Sequence, residues 1–312
     1  MKHYTFVDYA TQGYAALVAV LVVVFHNATV PRWHLIVLAH LGILLFIHSL
    51  IFLHGRSPGI APISFLRHFY PVLLYTWFFS ETGWLNRMFF QEFMDPDIIR
   101  WEQALLGCQP STLFMQKLPY LVVSELFYAS YFSYYVMIAG VGVALYLRER
   151  RQFFHYVSVI SFVFYICYTT YIILPIIGPR VFFHEVAGYS LPPDVQQLAS
   201  TEVYPSAIQV GIFFKIMAFI YRVFEAPGAA FPSSHVAIAL TTVSFSFRYL
   251  RPIRYAHLAV AILLCLSTIY CRYHYALDVF AGAVTAAVLV QTGNWLYRKT
   301  AKAEECPQTG FS

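Results

Sequence analysis

Two short segments of this chain combine residue types and spacings that could serve a single chemical step. They are Phe231-Pro-Ser-Ser-His235 and Tyr270-Cys-Arg-Tyr-His-Tyr-Ala-Leu-Asp278. Each has a histidine at the end of a strongly apolar stretch, where an ionisable side chain is costly to keep and therefore suggests a function. Two histidines, an aspartate and a pair of serines at a helix start suit phosphoryl transfer.

His274 and Asp278 are the candidate nucleophile and its orienting carboxylate. Their i,i+4 spacing puts them on one helical face, so the carboxylate can accept the imidazole N–H and leave the other ring nitrogen to attack. A helix-stabilising pair of this kind contributes only about 0.2–0.5 kcal/mol. That gain is small for an aspartate inside an apolar helix, and the pair therefore favours a catalytic interpretation.

The Pro-Ser-Ser-His segment predicts the start of a helix with an anion site. Proline followed by small hydroxyl residues is typical of a helix start, where unpaired backbone N–H groups and the helix dipole attract anions. Ser233 and Ser234 can add hydroxyl donors, and His235 can protonate a leaving oxygen. An ordinary capped membrane helix with an interfacial histidine explains the same residues, and on these residues alone both interpretations stay open.

Three further charged residues are candidates for holding a substrate. Arg180 follows an apolar run, where its guanidinium could hold two phosphoryl oxygens or serve as an ordinary snorkelling anchor. Arg272 lies two residues before His274 and is better placed by sequence to contact the same phosphate. Glu125 lies within an apolar run, where it could bind a polar headgroup or pair with a tyrosine hydroxyl.

The remaining histidines and cysteines give no sign of a metal centre. The other histidines are dispersed, without the close spacing of a membrane di-iron enzyme, and the five cysteines lack metal-ligand spacing. We therefore predict neither a metal nor a cofactor. The formal net charge is +5, but the basic residues are scattered into loops and form no basic face. Nucleic acid is therefore not an expected partner.

Composition places these residues in a membrane protein. The chain of 312 residues is 59% hydrophobic and only 11% charged, whereas a soluble domain carries about 25% charged residues. The apolar runs are too long for strands and lack their alternation, so we predict an all-α bundle of about six to eight transmembrane helices. Eight candidate spans lie at about 13–30, 33–54, 65–83, 118–146, 153–177, 232–249, 254–272 and 275–297.

The spans and the charges between them predict the organisation of the chain. It divides into N-terminal transmembrane helices (1–84), an interfacial amphipathic segment (85–112), a catalytic membrane core (113–297) and a disordered tail (298–312). The proline-rich stretch 178–208 is expected to form a loop over the bundle. Arginine-dense loops at 148–151 and 248–254 predict a cytoplasmic N-terminus, which puts Arg180, His235 and His274 together on the non-cytoplasmic face.

The two segments resemble motifs of the type 2 phosphatidic acid phosphatase superfamily. FPSSH, followed by STIYCRYHYALD, looks like the superfamily's PSGH and SRxxxxxHxxxD motifs, with Ser234 in the glycine place and Thr268 in the arginine place. The first motif, KxxxxxxRP, is absent as such, and Arg180 is the only basic residue of the YIILPIIGPR run that stands there. Ser267-Thr268, His274-Tyr275 and the run from Asp97 to Pro110 resemble the inositol phosphorylceramide synthase branch.

The resemblance implies a metal-free mechanism with a phosphohistidine intermediate. His274 would attack the phosphorus, Asp278 would orient it, and His235 would protonate the departing alcohol and then activate the acceptor. The phosphoryl oxygens would be held by Ser233, Arg180 and, by proximity alone, Arg272.

The resemblance also implies a lipid phosphate substrate in the bilayer, and it leaves the acceptor open. Inositol or another alcohol as acceptor would make the protein a headgroup transferase. Water as acceptor would make it a lipid phosphate or prenyl diphosphate phosphatase. A non-catalytic transporter or scaffold that kept the fold is the remaining alternative.

Overall fold

The computed structural model describes residues 4–182, 192–196, 198, 204–224 and 226–305. Within these ranges the chain forms helices and no strand, which confirms the predicted all-α fold class. In chain order the helices are α1 (Phe6–Phe25), α2 (Trp33–Arg56), α3 (Ala61–Leu85), α4 (Asp95–Leu106), α5 (Pro110–Lys117), α6 (Leu121–Arg148), α7 (Arg150–Ile173), α8 (Pro179–Phe182), α9 (Pro193–Gln196), α10 (Ser206–Gln209), α11 (Ile212–Phe224), α12 (Ser234–Tyr249), α13 (Arg254–Tyr270) and α14 (Ala276–Glu305).

Several of these helices are long and apolar enough to cross a membrane, and the protein is therefore an integral membrane protein. They are α1, α2, α6, α7 and the Ala276–Ala301 part of α14. The other predicted spans also form helices, namely α3, α12 and α13. α12 and α13 have 16 and 17 residues. At 1.5 Å per residue they reach about 25 Å, which is less than the ~30 Å hydrocarbon core of a bilayer.

α7 forms the centre of the bundle. It packs against α1, α3, α6, α12 and α14, and buried side chains occur around its whole circumference, as expected of a helix that fills a core. α7 begins at Arg150, next to one arginine-dense loop, and ends at Ile173. The loop that carries Arg180 therefore lies at the opposite end of the bundle from Arg150.

A buried ion pair joins α1 to α3. Arg67 donates hydrogen bonds to both carboxylate oxygens of Asp8, at 2.9 and 2.7 Å, and the Tyr70 hydroxyl donates to the same carboxylate at 2.6 Å. All three residues are buried. Removing one partner of such a pair typically costs about 3–5 kcal/mol of stability, so this pair holds α1 against α3.

The segments predicted to lie outside the bundle are mostly helical. The predicted interfacial segment 85–112 forms α4 and the start of α5, while its position along the membrane surface and the boundaries of the four predicted parts stay predictions. α14 continues to Glu305 into the predicted tail, of which residues 306–312 lie outside the described residues. Much of the predicted loop 178–208 also lies outside them, and its described part contains the short helices α8 and α9 and the start of α10.

Candidate active site

The structure brings the two histidines of the sequence motifs into direct contact. Nε2 of His274 lies 3.3 Å from Nδ1 of His235, and Nδ1 of His274 lies 3.4 Å from Oδ2 of Asp278. His274 and Asp278 are 3% and 0% exposed. The three residues predicted to act on one phosphorus atom therefore meet at one point, although the histidines are 39 residues apart in the chain.

The turn between α13 and α14, residues 271–275, sets the position of His274; we call it the histidine turn. Arg272 has a φ of +62°, in the left-handed region that costs a non-glycine residue about 1–2 kcal/mol. This reversal lets the N–H groups of Tyr273 and His274 both donate to the Thr268 carbonyl, at 3.0 and 3.1 Å. Strained backbone of this kind clusters at functional sites, and here it fixes the backbone that carries the imidazole.

Asp278 is held in place by the start of α14. Its Oδ2 accepts a hydrogen bond from the N–H of Tyr275 at 2.9 Å, which is one half of a capping box. Burial lowers the pKa of His274 to about 4, so its imidazole is neutral near pH 7. Asp278 Oδ2 lies 3.4 Å from Nδ1 without a hydrogen bond between them. If the proton of the neutral imidazole is on Nδ1, Nε2 is the nucleophilic atom.

Ser233 and Ser234 lie at the start of α12. Ser233 is its N-cap, with Oγ accepting a hydrogen bond from the N–H of Val236 at 3.4 Å. The N–H of Ser233 donates to the carbonyl of Asp278 at 3.0 Å, and the N–H of Ser234 donates to the Tyr171 hydroxyl at 3.0 Å. Because both N–H groups are engaged within the protein, the donors that these serines can offer to an anion are their hydroxyls.

Two glycines allow the segments of the site to pack backbone against backbone. A Cβ atom on Gly178, whose φ is +98°, would lie 2.8 Å from the carbonyl oxygen of Tyr273, and one on Gly282 would lie 2.5 Å from that of Ser233. Real Cβ atoms essentially never come closer than 3.0 Å to a non-bonded heavy atom. Residues 174–180, which we call the arginine loop, therefore touch the histidine turn, and α14 touches the start of α12.

Both candidate arginines lie beside tyrosine rings near the histidine turn. The guanidinium carbon of Arg180 lies 5.2 Å from the ring centre of Tyr221 and 5.9 Å from that of Tyr273. Arg272 lies 5.9 Å from the ring centre of Tyr204 and is 3% exposed. Since Tyr273 directly precedes His274, Arg180 approaches the histidine turn, while a contact of either arginine with phosphate stays a prediction.

Tyrosine rings pack against His235, which is half-buried. The ring centres of Tyr131 and Tyr134 lie 5.0 and 4.6 Å from that of His235. Tyr221 and Tyr273 stack at 4.1 Å, and Tyr273 also packs on Tyr131 at 4.6 Å. These four tyrosines form an aromatic wall that keeps bulk water from one side of the histidine pair.

A family model described as the PAP2 superfamily matches residues 96–292, which is well over half of the chain. The chain belongs to the PAP2 superfamily. Membership identifies it as a lipid phosphate enzyme of the phosphatase or phosphotransferase type. No curated protein and no solved structure matches the chain.

The superfamily match covers the histidine turn, the arginine loop and the start of α12, and it begins within α4. Among the residues that the structure describes in this PAP2 superfamily protein, no group of three or more His, Cys, Asp or Glu side chains could hold a metal ion. The predicted lack of a metal or cofactor remains a prediction.

Glu125 of α6 caps the start of α11. Its carboxylate accepts hydrogen bonds from the N–H groups of Ile212, Phe213 and Phe214, the first residues of α11, at 2.9–3.2 Å. A carboxylate at a helix N-terminus satisfies donors that have no partner within the helix and also complements the helix dipole. A role of Glu125 in binding a headgroup stays a prediction.

Asp95 is a buried part of the site that the sequence did not reveal to us. It accepts hydrogen bonds from the N–H groups of Ile177 and Gly178 in the arginine loop, both at 2.9 Å, and from the Tyr275 hydroxyl in the histidine turn at 3.0 Å. Asp95 is fully buried, and this burial raises its pKa to about 7.

Glu102 is the second such residue. Its Oε1 accepts hydrogen bonds from the N–H groups of Ala276 and Leu277, the first residues of α14, the latter at 3.2 Å. Burial raises its pKa to about 7 as well. The spacing of Asp95 and Glu102 puts both acids on the face of α4 that also carries Ile98 and Ile99. Acids on the apolar face of an amphipathic helix were the available signal.

Proposed function

We propose that this protein transfers a lipid phosphate headgroup to an alcohol through a phosphohistidine at His274. The observation that carries the proposal is the contact of His274 Nε2 with His235 Nδ1, backed by Asp278 on the other ring nitrogen. One imidazole is thereby placed to attack a phosphorus atom and the other to exchange a proton with the leaving oxygen. Superfamily membership supports the lipid phosphate substrate.

The reaction has two balanced steps. In the first, the Nε2 lone pair of His274 forms a bond to phosphorus, the bond from phosphorus to the lipid oxygen breaks, and His235 gives that oxygen a proton. In the second, the acceptor hydroxyl loses its proton to His235, its oxygen bonds to phosphorus, and the phosphorus–nitrogen bond breaks. Asp278 stabilises the charge on His274 in between. In the resting structure the imidazoles touch, so the bound phosphoryl group must part them.

The phosphoryl oxygens carry charge throughout both steps, and fixed donors stabilise it best. The hydroxyls of Ser233 and Ser234 are the donors nearest to His235 in sequence, and the guanidinium groups of Arg180 and Arg272 supply positive charge. The positioning of the two arginines near the histidine turn supports their assignment to phosphate.

Burial of the site supports an alcohol acceptor over water. Ser233 and Asp278 are 0% exposed, His274 is 3% exposed, and two tyrosines of the aromatic wall pack against the half-buried His235. A phosphohistidine that has to wait for a second substrate must be protected from hydrolysis, and exclusion of water achieves this. The resemblance of Ser267-Thr268 and His274-Tyr275 to the inositol phosphorylceramide synthase branch supports an alcohol as the acceptor.

The proposed site lies on the non-cytoplasmic face. The arginine loop is at the opposite end of α7 from the arginine-dense loop at 148–151, and basic loops favour the cytoplasmic side. A lipid whose headgroup lies in the outer leaflet is the substrate that this placement supports.

The test is turnover by purified protein in lipid nanodiscs that contain a lipid with a labelled phosphate headgroup, with and without inositol. We expect the labelled phosphate to move from the lipid to inositol and give a water-soluble inositol phosphate, while release of free phosphate in both samples would identify a phosphatase instead. His274→Ala should abolish turnover and the acid-labile phosphohistidine label. His34→Ala, at an exposed histidine of α2, is the matched control. Persistent turnover by His274→Ala would refute the nucleophile assignment.

A further inference from the structure

α4 connects two parts of the site that no backbone segment joins directly. Asp95 binds the arginine loop through the N–H groups of Ile177 and Gly178, and the same carboxylate binds the histidine turn through the hydroxyl of Tyr275. About two turns further along α4, Glu102 binds the start of α14, where Asp278 lies. A single helix thus holds three of the site's segments in one frame.

We propose that Asp95 and Glu102 are positioning residues for the phosphoryl transfer, an inference that rests on the proposed function. Asp95 sets the distance between the arginine loop and the histidine turn, and Glu102 fixes the first turn of α14. Neither side chain needs to touch the substrate. Both act through the backbone that carries Arg180, His274 and Asp278.

The energetic cost of these carboxylates supports a specific role. Both are buried, and burial disfavours their charged forms strongly enough to raise the pKa of each to about 7, with the charge of Asp278 adding to the effect. Apolar side chains would fill the same face of α4 without that cost. What carboxylates provide there is acceptor capacity for N–H and O–H groups that would otherwise be buried unpaired.

The two acids use their oxygens differently, and this gives a distinctive test. Asp95 uses both: Oδ2 accepts from Ile177, and Oδ1 accepts from Gly178 and Tyr275. In Asp95→Asn one oxygen becomes an NH₂ group that faces a donor. Glu102 accepts both of its hydrogen bonds through Oε1 alone, and the amide oxygen of Glu102→Gln can keep both.

The experiment compares turnover of the variants in nanodiscs, normalised to the number of sites that form phosphohistidine in a single turnover. We expect kcat to fall about 100-fold in Asp95→Asn, the loss that a displacement of about 1 Å can cause, and to stay within about threefold of wild type in Glu102→Gln. Glu102→Leu, which has no acceptor, should lose at least tenfold. Asp97→Asn is the matched control, because the Asp97 side chain is 50% exposed and, among the described residues, forms an ion pair with Arg100 of the same helix at 3.2 Å.

Tyr275→Phe guards against a variant that fails to fold. It removes one hydrogen bond to Asp95 and leaves the two backbone hydrogen bonds in place, so we expect a smaller loss of kcat, about three- to tenfold. Equal losses in Asp95→Asn and Glu102→Gln would mean that negative charge is what matters, and this would overturn the proposal. An unchanged kcat per labelled site in Asp95→Asn would assign it a purely structural role and would also overturn it.

Failure of this inference can be told apart from failure of the proposed function. If wild-type protein forms no phosphohistidine and turns over no lipid phosphate, the proposed function is wrong and the variants have nothing to report. If wild type is active and the Asp95 and Glu102 variants match Asp97→Asn, only the positioning inference fails.

Discussion

Gly282→Ala should separate the two helices that carry the candidate catalytic groups. Gly282 of α14 faces the carbonyl of Ser233, the N-cap residue of α12. The N–H of Ser233 in turn donates to the carbonyl of Asp278. An alanine Cβ would lie 2.5 Å from the Ser233 carbonyl oxygen, whereas ordinary van der Waals contact begins at 3.4 Å, so the two helices must part by about 0.9 Å. The Cβ of Val236 would lie 3.1 Å from the same added Cβ, so a lateral shift of the alanine does not relieve the contact.

The displacement predicts a large loss of rate with a small loss of stability. A misplacement of about 1 Å can cost about 100-fold in catalysis, and the distance between His235 and His274 depends on how α12 meets α14. Overpacking typically costs about 1–3 kcal/mol, while alanine is about 1 kcal/mol better than glycine within a helix. The net change of roughly 0–2 kcal/mol should leave the protein folded.

The assay is turnover of labelled lipid phosphate in nanodiscs, together with the melting temperature of each variant. Gly140→Ala is the matched control: Gly140 lies in α6, and nothing lies within 4 Å of its added Cβ. We expect kcat about 100-fold below wild type in Gly282→Ala and unchanged in Gly140→Ala. A Gly282→Ala protein that keeps its full kcat would show that the close approach of α12 and α14 does not set the catalytic geometry.

Three further outcomes follow from the site. Asp278→Asn should lower the rate of phosphohistidine formation about 100- to 10,000-fold, measured by rapid quench, because an amide cannot stabilise the imidazolium that forms; a rate near wild type would remove Asp278 from the mechanism. Burial raises the pKa of Asp95 from 3.8 to about 7. The protonated carboxyl therefore contributes stability that is fully present below about pH 4 and is lost as the pH rises to about 7. The melting temperature of wild type relative to Asp95→Asn should fall over that window, and a difference that stays constant with pH would contradict the raised pKa. Glu125→Gln should expose residues 204–224 to protease by weakening the cap of α11; a raised KM with unchanged cleavage would indicate headgroup binding instead.

The positions of the candidate site residues could be predicted because each is next to a helix end. Ser233 and His235 start α12, and His274 and Asp278 surround the start of α14. Apolar periodicity locates helix ends to within a few residues, and the same basic loops orient both helices. Their convergence at one end of the bundle therefore followed from topology, although the contact of the two rings did not.

The contacts of Asp95, Glu102 and Glu125 could not be predicted in this way. Asp95 reaches residues 82 and 83 positions later, and Glu102 reaches a residue 174 positions later. Glu125 caps a helix that begins 87 residues further on. Local patterns report propensity and periodicity, whereas these hydrogen bonds depend on how distant helices pack, which a single sequence does not specify.

The lengths of α12 and α13 also departed from the sequence-based spans for a physical reason. One predicted span started at residue 232, but α12 starts at Ser234, after Pro232. The next predicted span ended at residue 272, but α13 ends at Tyr270, before Arg272 with its left-handed backbone. Hydropathy continues through these positions, because Tyr, Phe and Cys are apolar enough to extend a membrane helix. The backbone turns there to build the site.

The hydrogen bonds from α4 to the start of α14 have a consequence for how the protein is made. Glu102 is synthesised long before the N–H groups of Ala276 and Leu277 that its carboxylate binds. Until α14 enters the membrane, a nascent or truncated chain lacks Asp278 and the hydrogen bonds between α4 and the start of α14. The proposed activity is therefore expected only of chains that include α14.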